Sequence, residues 1–594
     1  MTDLLSPLGL LEAGVSSWAP HLQPDGTLHD PVFDAPTQYG TAYLAWCCAV
    51  LGAQPAAVEG PVHADRAVRL LGAALAHTAD PGREPHASGF DRRTLSVSGR
   101  LNHRDFTWPP ILKARRELAA AGVALDPAVD AQIAGVDVEA TFRARPPSNW
   151  AAVWMSGEWL RVQAGLAPTS AARLDPWLDV FFAGGEVGLD LELGLYVERG
   201  LPNAYDLFTR LHLTDLLLQG WAGRNRERLT AFLTTGLRRS LALQLSDGSL
   251  ASGYRSAGQT WVLGAQLALF TASRVLGLGT AAEQEEARLA AWRAFRALAL
   301  GVRPVGVFSP VQNVLPPELR VGYETYTADG HYSPLALAFL ADAVRTGFGT
   351  DEPPTPAELD ARPLAVRVEG APTHRGAVSR GRVSLAVQAA ADGVYDASGL
   401  VDLTFGTGRS LVFVSAARHV SGGPWLVPGL ALRTEAGAAP VTPLAPLPRR
   451  LLEPLRPEGD AGLTFTAGLD AAEEGSALAG HRHRWSAALT AVGVDVTETV
   501  PGWSGRRTLL VPYLRDLGDG VLTEVTRLAD GVRLTRGAEW VEVRVDGPLE
   551  RSSVLPAGYE SRRGLCGLVR LDLAEPGESL RWSVTSGPSE LLAD

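Results

Sequence analysis

Residues 349–362 read Gly349-Thr-Asp-Glu-Pro-Pro-Thr-Pro-Ala-Glu-Leu-Asp-Ala-Arg362, a stretch rich in proline and acidic residues. Proline disfavours both helix interiors and central strands, so this composition is typical of a linker. Before it, apolar residues recur every three or four positions, which predicts helices; after it they alternate, which predicts strands. The sequence therefore predicts two domains, residues 1–348 and 363–594, joined by a linker at 349–362.

The N-terminal part predicts about ten helices separated by loops that carry Gly, Pro, Asn and Asp. They are placed near residues 37–53, 63–78, 109–122, 148–165, 170–182, 204–220, 225–245, 257–276, 281–300 and 333–346. The fixed repeat length of a solenoid is not visible in this sequence. Sequential antiparallel helix pairs without such a repeat favour an (α/α) toroid, in which inner and outer helices alternate.

After the linker, alternating runs recur at roughly ten-residue spacing with glycine-rich turns, as in antiparallel sandwiches. They are residues 364–369, 383–388, 400–405, 410–414, 485–490, 494–500, 508–511, 521–526, 540–545, 569–573 and 579–584. Residues 436–462, rich in Pro and Ala, are interpreted as an excursion from the sheets. The predicted fold class is therefore α+β multidomain: an N-terminal (α/α) toroid followed by a C-terminal antiparallel β-sandwich.

Composition excludes several classes of function. The net charge of −11, without a basic block, argues against a nucleic-acid partner, and Lys113 is the only lysine. Cys47, Cys48 and Cys566 show no C-x-x-C spacing, so neither a disulfide framework nor a cysteine zinc site is expected. His481 and His483 share a strand face, but two ligands without a third are a weak metal signal, and we expect no metal.

The sequence also lacks the patterns of export, membrane insertion and nucleotide binding. The first residues contain Asp3 and no basic segment, and apolar runs stay below the roughly 18 residues that a membrane span needs. We therefore expect a cytoplasmic location and no membrane partner. Since G-x-S-x-G, H-E-x-x-H, Walker and dinucleotide-binding motifs are missing, we expect no cofactor.

Two polar and aromatic clusters lie at predicted helix starts. In Arg145-Pro-Pro-Ser-Asn149-Trp150, either Ser148 or Asn149 can be the helix N-cap; alternatively the Asn149 amide points into a cavity and Trp150 stacks on a substrate. The second cluster contains Asn203, Tyr205, Arg210 and His212. Tyr205 and His212 share a helix face with Asp215, which is unusual for plain core, although a buried, hydrogen-bonded histidine is the alternative.

Two further clusters combine glycine-rich loops with the residue types that bind sugars. The third runs from Asp247-Gly-Ser into a helix and contains Tyr254, Arg255, Gln259 and Trp261. The fourth contains Tyr323, Glu324, Tyr326, Asp329, His331 and Tyr332. Aromatic faces stack on sugar rings, and amides and carboxylates hydrogen-bond hydroxyls, so these residues are candidates for binding a sugar chain. The alternative in both cases is a purely structural loop.

The layout, with the segments Pro-Pro-Ser-Asn149-Trp150, Asp247-Gly-Ser and Tyr326-x-x-Asp329-Gly-His-Tyr-Ser-Pro, resembles bacterial polysaccharide lyases built from an α/α toroid and a β-sandwich. These are the chondroitin AC/hyaluronate lyase group and the heparinase II/III and alginate lyase group. The segments are also similar to an uncharacterised bacterial family of the same shape. The resemblance covers nearly the whole chain, and its motifs are short.

The resemblance implies β-elimination on a uronic-acid-containing oligosaccharide or polysaccharide. In these lyases an asparagine, often in Asn-Trp, helps to neutralise the uronate, and a tyrosine and a histidine serve as acid and base. Asn149 matches that asparagine, and Arg255 or Arg210 would help it hold the carboxylate. The Asp247 loop offers Tyr254 but no histidine, so His212 or His331 would have to supply it.

Two other functions fit the same residues. Glycoside hydrolysis needs two carboxylates at the site, which Glu324 and Asp329, with Asp247 or Asp206, can supply. A non-catalytic glycan-binding protein would use the aromatic residues alone. A facing carboxylate pair favours hydrolysis, whereas Asn, Tyr, His and Arg together without such a pair favour elimination.

Overall fold

The computed structural model describes residues 6–36, 39–79, 90–91, 96–97, 104–251, 253–324, 326–390, 395, 397–406, 427–433, 441–447, 449–469 and 478–588. The chain divides into two compact units. The helical unit is Met1–Leu241, Gln259–Pro310 and Tyr323–Pro354; the β unit is Ala242–Gly258, Val311–Gly322 and Thr355–Asp594. The domain boundary at 349–362 stays a prediction, and two segments of the predicted helical domain belong to the β unit.

Fourteen α-helices lie in the described part of the chain: α1 (Pro7–Ser16), α2 (Gly40–Ala53), α3 (Gly60–Ala79), α4 (Arg104–Ala120), α5 (Pro127–Gly135), α6 (Val138–Thr141), α7 (Asn149–Gln163), α8 (Ala171–Phe182), α9 (Asn203–Leu218), α10 (Arg226–Leu243), α11 (Thr260–Val275), α12 (Ala281–Ala299), α13 (Asp329–Arg345) and α14 (Pro356–Asp360). The ten predicted helices are present, and α1, α5, α6 and α14 were missed. The short α14 lies inside the predicted linker, where Thr355 and Glu358 form a capping box that starts a helix. No helix of the described residues is both long and apolar enough to span a membrane.

Six helices of the helical unit form a closed inner ring. Helix α2 packs on α4, α4 on α7, α7 on α9, α9 on α11 and α11 on α13, and α13 packs back on α2. Helices α1, α3, α8 and α12 each pack against ring members from outside. The ring helices are buried along almost their whole length, as expected for helices covered on all sides. This arrangement confirms the predicted toroid.

The strands are β1 (Phe90–Asp91), β2 (Ser96–Val97), β3 (Gly188–Asp190), β4 (Leu195–Val197), β5 (Ala365–Glu369), β6 (Arg375–Arg380), β7 (Val383–Gln388), β8 (Gly399–Phe405), β9 (Gly429–Arg433), β10 (Thr442–Pro443), β11 (Arg450–Glu458), β12 (Gly462–Gly468), β13 (Arg482–Leu489), β14 (Gly493–Thr499), β15 (Arg506–Asp516), β16 (Glu524–Leu528), β17 (Gly531–Arg536), β18 (Glu539–Val545), β19 (Leu549–Ser561), β20 (Gly564–Leu573) and β21 (Ser579–Pro588). The strands β1–β2 and β3–β4 form hairpins in the helical unit, and the other strands belong to the β unit.

The β unit contains three antiparallel sheets. Their strand orders are β11-β12-β13-β14-β21-β18-β17-β16, β10-β9-β15-β20-β19 and β5-β6-β7-β8. Strands of the four-stranded sheet pack on β11, β12 and β13, and all three sheets contribute to one apolar core, which confirms the predicted sandwich.

Two predicted segments of the C-terminal part are residues 436–462, expected as an excursion, and residues 410–414, expected as a strand. The predicted excursion at 436–462 is wrong at 450–458, because β11 pairs there with β12. As an edge strand, β11 tolerates Pro454 and Pro457, since one side of its backbone needs no partner. The predicted strand 410–414 lies outside the described residues.

A buried ion cluster lies inside the ring towards the C-terminal ends of its helices. The Lys113 Nζ atom lies 2.7 Å from an Asp215 carboxylate oxygen and 2.8 Å from one of Asp342. Asp342 also accepts a hydrogen bond from the Trp46 indole at 3.1 Å. Burial, with the charge of Asp215, raises the pKa of Asp342 above its usual range. One ammonium group thus offsets two buried carboxylates.

The variant Lys113→Met tests the importance of this cluster for stability. Removal of the ammonium leaves two buried carboxylates without their cation, so we expect the free energy of unfolding to fall by about 3–5 kcal/mol. Urea unfolding followed by circular dichroism measures the change. As a control, Arg238→Met removes a guanidinium paired with Glu283 on the surface, and we expect a loss below about 1 kcal/mol. Equal small losses in both variants would contradict this account.

Candidate functional site

Aromatic side chains lie at the end of the ring where the inner helices begin. The ring of Tyr39, just before α2, stacks on Phe106 of α4 with 5.3 Å between centroids. Phe106 meets Trp150 of α7 edge to face at 5.2 Å, and Tyr205 of α9 lies 6.1 Å from Trp261 of α11. Tyr326 and Tyr332 are 6.1 Å apart, and Tyr332 lies 6.2 Å from Tyr39. We call these residues the aromatic rim: Tyr39, Phe106, Trp150, Tyr205, Trp261, Tyr326 and Tyr332.

Four members of the aromatic rim reach solvent. Trp150, Tyr205, Tyr326 and Tyr332 are half-buried, whereas Tyr39, Phe106 and Trp261 are buried. The half-buried rings are therefore held in place by buried rings behind them. Rigid, partly exposed aromatic surfaces with polar ends are suited to stacking on a sugar ring.

Three tyrosine hydroxyls of the rim, those of Tyr326, Tyr332 and Tyr39, are hydrogen-bonded. The Tyr326 hydroxyl donates to Glu324, and the hydroxyls of Tyr332 and Tyr39 bond to each other. Burial, followed by the charge of Glu324, raises the pKa of Tyr326 well above its usual range, and burial does the same for Tyr332. These phenols therefore stay protonated at neutral pH and act as hydrogen-bond donors.

Asn149 is the first residue of α7, and its side-chain Nδ2 donates to Glu198 Oε2 at 2.8 Å. The N-cap is Ser148, whose hydroxyl accepts from the Ala151 amide, so Asn149 is not needed as a cap. Trp150 follows directly and lies in the aromatic rim. The structure therefore brings the predicted Asn-Trp pair to the end of the ring where the other aromatic residues lie.

The start of α13 carries a second buried ion cluster. Asp329 accepts from Arg303 at 2.6 Å and from the Tyr323 hydroxyl at 2.8 Å. The Gly330 amide donates to Asp30 at 2.8 Å, which places a second carboxylate at this helix start. His331, in the same turn, is buried and stacks on Tyr39 with 4.7 Å between centroids. Tyr323 and Asp329 thus hold the turn from which His331 and Tyr332 project.

The residues of the second predicted cluster, on α9, lie in separate environments. Asp206 binds Arg210 and Arg239, each at 2.8 Å, and Arg239 also donates to the Asn203 side chain at 2.8 Å. Both arginines are almost fully buried in this cluster. Tyr205 alone reaches the aromatic rim.

His212, one turn further along α9, lies deeper inside the ring. Its imidazole meets Phe208 at 4.6 Å and Phe339 at 6.3 Å. Burial lowers its pKa to about 3, so the ring is neutral at physiological pH. Of the two histidines that sequence analysis offered, His331 is the one that contacts the aromatic rim.

Gln259 connects the starts of α11 and α13. Its side-chain Nε2 donates to the Thr327 hydroxyl at 2.8 Å, and its Oε1 accepts from the Trp261 indole at 2.5 Å. Both polar ends of the amide are therefore used within the protein. Gln259 fixes the orientation of Trp261 at the rim.

The other residues of the third predicted cluster belong to the β unit. Asp247 lies 3.6 Å from Arg563 and accepts from the Ser249 amide at 2.9 Å. Tyr254 has a left-handed backbone (φ 66°), and its ring lies 4.4 Å from that of Tyr395. Its neighbour Arg255 is half-buried.

Sequence reasoning missed several residues that the structure brings to these clusters, among them Glu198 and Arg303. Glu198 follows the hairpin strand β4, and Arg303 lies in the loop after α12; neither stands in a motif. Only their contacts with Asn149 and Asp329 give them a role. Among the described residues, no three His, Cys, Asp or Glu side chains are grouped so that they could hold a metal ion. His483 of the β unit lies 3.1 Å from Glu498.

The variant Asp30→Asn tests the charge at the start of α13. Burial, with the charge of Asp329, raises the pKa of Asp30 to about 6. Because this folded-state pKa exceeds that of an unfolded aspartate, ionisation of Asp30 lowers stability as pH rises from about 4 to about 6. We expect the variant to gain up to about 3 kcal/mol relative to the wild type between pH 4 and pH 7, measured by urea unfolding.

The control for this titration is Asp34→Asn, since the Asp34 side chain in the same loop is 94% exposed. Its stability relative to the wild type is expected to change by less than about 1 kcal/mol over the same pH range. Parallel stability curves for Asp30→Asn and the wild type would refute the role given to Asp30.

Comparison with known proteins addresses the fold. No protein-family model matches the sequence, and no curated protein sequence matches it. A point mutant of the chondroitin AC lyase of Streptomyces coelicolor A3 aligns with a TM-score of 0.51 over 100% of this chain and 81% of that chain, at 13% identity. A Paenibacillus xanthan lyase aligns with a TM-score of 0.51 over 100% of this chain and 57% of that chain, at 10% identity. The chain therefore has the fold of these polysaccharide lyases, an α/α toroid with an antiparallel β domain.

Proposed function

We propose that this protein is a carbohydrate-active enzyme that cleaves a uronic-acid-containing oligosaccharide or polysaccharide by β-elimination. Two lines of support combine. The fold is shared with a chondroitin AC lyase and a xanthan lyase. In addition, the end of the ring where the inner helices start has partly exposed aromatic rings, an asparagine amide and protonated phenols. Fold likeness alone does not carry a reaction, so the second line is the stronger support.

The observation that carries the proposal is the pairing of Asn149 with Trp150 at the start of α7. Trp150 is half-buried, so one part of the indole can lie against a sugar ring while Phe106 supports it from behind. The adjacent Asn149 can then donate a hydrogen bond to a substituent of the same sugar. A planar uronate carboxylate is a strong acceptor for such an amide.

In the proposed reaction, neutralisation of the uronate makes its C5 proton more acidic. A base removes that proton, the C5–H electron pair forms the C4–C5 double bond, and the C4–O bond breaks. The departing glycosidic oxygen then takes a proton from an acid. Asn149 stabilises the charge that develops on the carboxylate during proton removal, which is the role of a preorganised donor.

Candidates for the acid and the base follow from their protonation. Tyr326, whose phenol is protonated at neutral pH and lies at the rim, is the candidate that protonates the leaving oxygen. Glu324 accepts from that phenol and orients its hydroxyl, and a proton from solvent restores the phenol after each turnover. His331 contacts the rim and is the candidate partner, and Tyr254 remains a predicted acid or base.

Hydrolysis is less well supported by the predicted carboxylates. Asp206 and Asp329 are each bonded to arginines, and burial is outweighed at Asp206 by two guanidinium groups that lower its pKa. A general acid for hydrolysis needs a raised pKa instead. Of the predicted acids in the helical unit, Glu324 is the one that accepts from a rim phenol, that of Tyr326.

A uronan assay tests elimination directly. The enzyme is incubated with chondroitin, xanthan and other uronic-acid polymers and oligosaccharides, and the ultraviolet absorbance of the unsaturated uronate is followed. We expect absorbance to rise with at least one substrate and Asn149→Ala to lower kcat/KM by about 100-fold, as for loss of one oxyanion donor. Tyr254→Phe, His331→Gln and Tyr326→Phe are assayed alongside to rank the acid and base candidates.

The matched control for that assay is Asn225→Ala. Asn225 is bonded to Asp179 at 2.8 Å, away from the aromatic rim, so kcat/KM should stay within about twofold of the wild type. New reducing ends without absorbance would establish hydrolysis instead. Binding without any cleavage would indicate a glycan-binding protein.

Stacking on the rim has its own test. In the Asn149→Ala background, in which turnover is slowed, Trp150→Ala should weaken binding of the active oligosaccharide about tenfold by calorimetry. Trp159, on the same helix, donates to the Gln219 carbonyl at 3.0 Å and is the control. Trp159→Ala is expected to leave the Kd unchanged. Equal effects of the two substitutions would place the sugar elsewhere.

A further inference from the structure

We propose that Glu198 is a positioning residue that fixes the orientation of the Asn149 side-chain amide. The bond between Asn149 Nδ2 and Glu198 Oε2 measures 2.8 Å. The catalytic consequence of this orientation depends on the function proposed above, whereas the orientation itself can be measured independently.

The chemistry of the pair removes the ambiguity of an asparagine side chain. A carboxylate only accepts hydrogen bonds, so the NH2 group of Asn149, and not its carbonyl, must face Glu198. One N–H is directed to Glu198, and the second N–H is then fixed in the amide plane. Without Glu198 the amide can rotate by 180° and present its oxygen, which would repel a uronate.

Glu198 is itself held by the hairpin that precedes it. The Tyr196 amide in β4 donates to Asp206 Oδ1 at 2.8 Å, and Asp206 is bound by the two buried arginines of α9 and α10. Gly194, with a φ of 63°, lies so close to α10 that a Cβ atom there would approach the Gly236 nitrogen to 2.4 Å. The buried ion cluster thus fixes the hairpin, and the hairpin fixes Glu198.

Helix α7 does not need this bond for its start. Ser148 already caps the helix by accepting from the Ala151 amide. The hydrogen bond from Asn149, the first residue of α7, to Glu198 after strand β4 is therefore additional to capping. Its effect falls on the Asn149 side chain, which is 6% exposed beside the half-buried Trp150.

Paired substitutions separate positioning from proton transfer. Glu198→Gln keeps an acceptor oxygen for Asn149 and removes the charge, while Glu198→Ala removes both. We expect kcat of Glu198→Gln to stay within about threefold of the wild type. We expect Glu198→Ala to lower kcat about tenfold, because this variant loses one hydrogen bond to a charged group. Glu192→Ala, in the exposed turn of the same hairpin, is the matched control and should leave kcat unchanged. Equal loss in Gln and Ala would make Glu198 a proton carrier and overturn the proposal.

Nuclear magnetic resonance measures the orientation without any substrate. The chain has five asparagines, at positions 102, 149, 203, 225 and 313, so selective 15N labelling gives five side-chain NH2 groups. The Asn149 pair is assigned as the one lost in Asn149→Ala. We expect its two proton shifts to differ strongly in the wild type and in Glu198→Gln, and to converge in Glu198→Ala. The remaining pairs serve as internal controls for folding.

The uronan assay and the nuclear magnetic resonance measurement can fail independently of each other. If no uronan is cleaved but the Asn149 protons respond as expected, the proposed function is wrong and the positioning role stands. If the Asn149 protons are the same in Glu198→Ala and the wild type, Glu198 does not orient the amide, whatever the sugar assay shows.

Discussion

The closure of α13 onto α2 is the constraint on which the rest of the helical unit depends. A closed ring leaves little solvent-facing surface on its inner helices, so the charged groups buried on them need partners inside the protein. The three ion clusters meet this demand: Lys113 with two aspartates, Asp206 with two arginines, and Asp329 with Arg303 and Tyr323. Each joins residues far apart in sequence, so each also fixes how neighbouring elements align.

Ring closure also makes the two ends of the ring chemically different. Residues at the helix starts contact one another in the aromatic rim, and residues near the helix ends contact one another around Lys113, so the inner helices run in the same direction. Backbone N–H groups without a partner in their own helix therefore lie at the rim, where they favour negative charge, and the last carbonyl groups lie at the other end, where they favour a cation. Asp30 and Asp329 at the start of α13, and Lys113 near the opposite end, follow this polarity.

The sequence predicted what depends on local pattern. Apolar periodicity located the ring helices and about half of the strands. The motifs at Asn149, Tyr205, Gln259 and Tyr326 are all at helix starts, because loops and caps concentrate polar and aromatic residues there. Prediction failed where tertiary contacts decide. Nothing local distinguishes Arg210, buried against Asp206, from a substrate-binding arginine, or shows that Glu198 meets Asn149. β11 was missed because its prolines are acceptable only at a sheet edge, which is a property of the assembled sheet.

Tertiary contacts of the polar groups also bear on the choice between elimination and hydrolysis. Both reactions need aromatic surfaces for the sugar, so the rim alone does not separate them. Elimination needs polar groups beside those surfaces that stabilise the substrate carboxylate. Hydrolysis needs two carboxyl groups there, one of which acts as the acid. An amide held by Glu198 can donate one N–H outward, and the protonated phenols of Tyr326 and Tyr332 are further hydrogen-bond donors. Such groups stabilise charge that develops on a substrate, which is the demand of proton removal beside a carboxylate. By contrast, two guanidinium groups outweigh burial at Asp206 and lower its pKa, whereas hydrolysis asks a raised pKa of its acid.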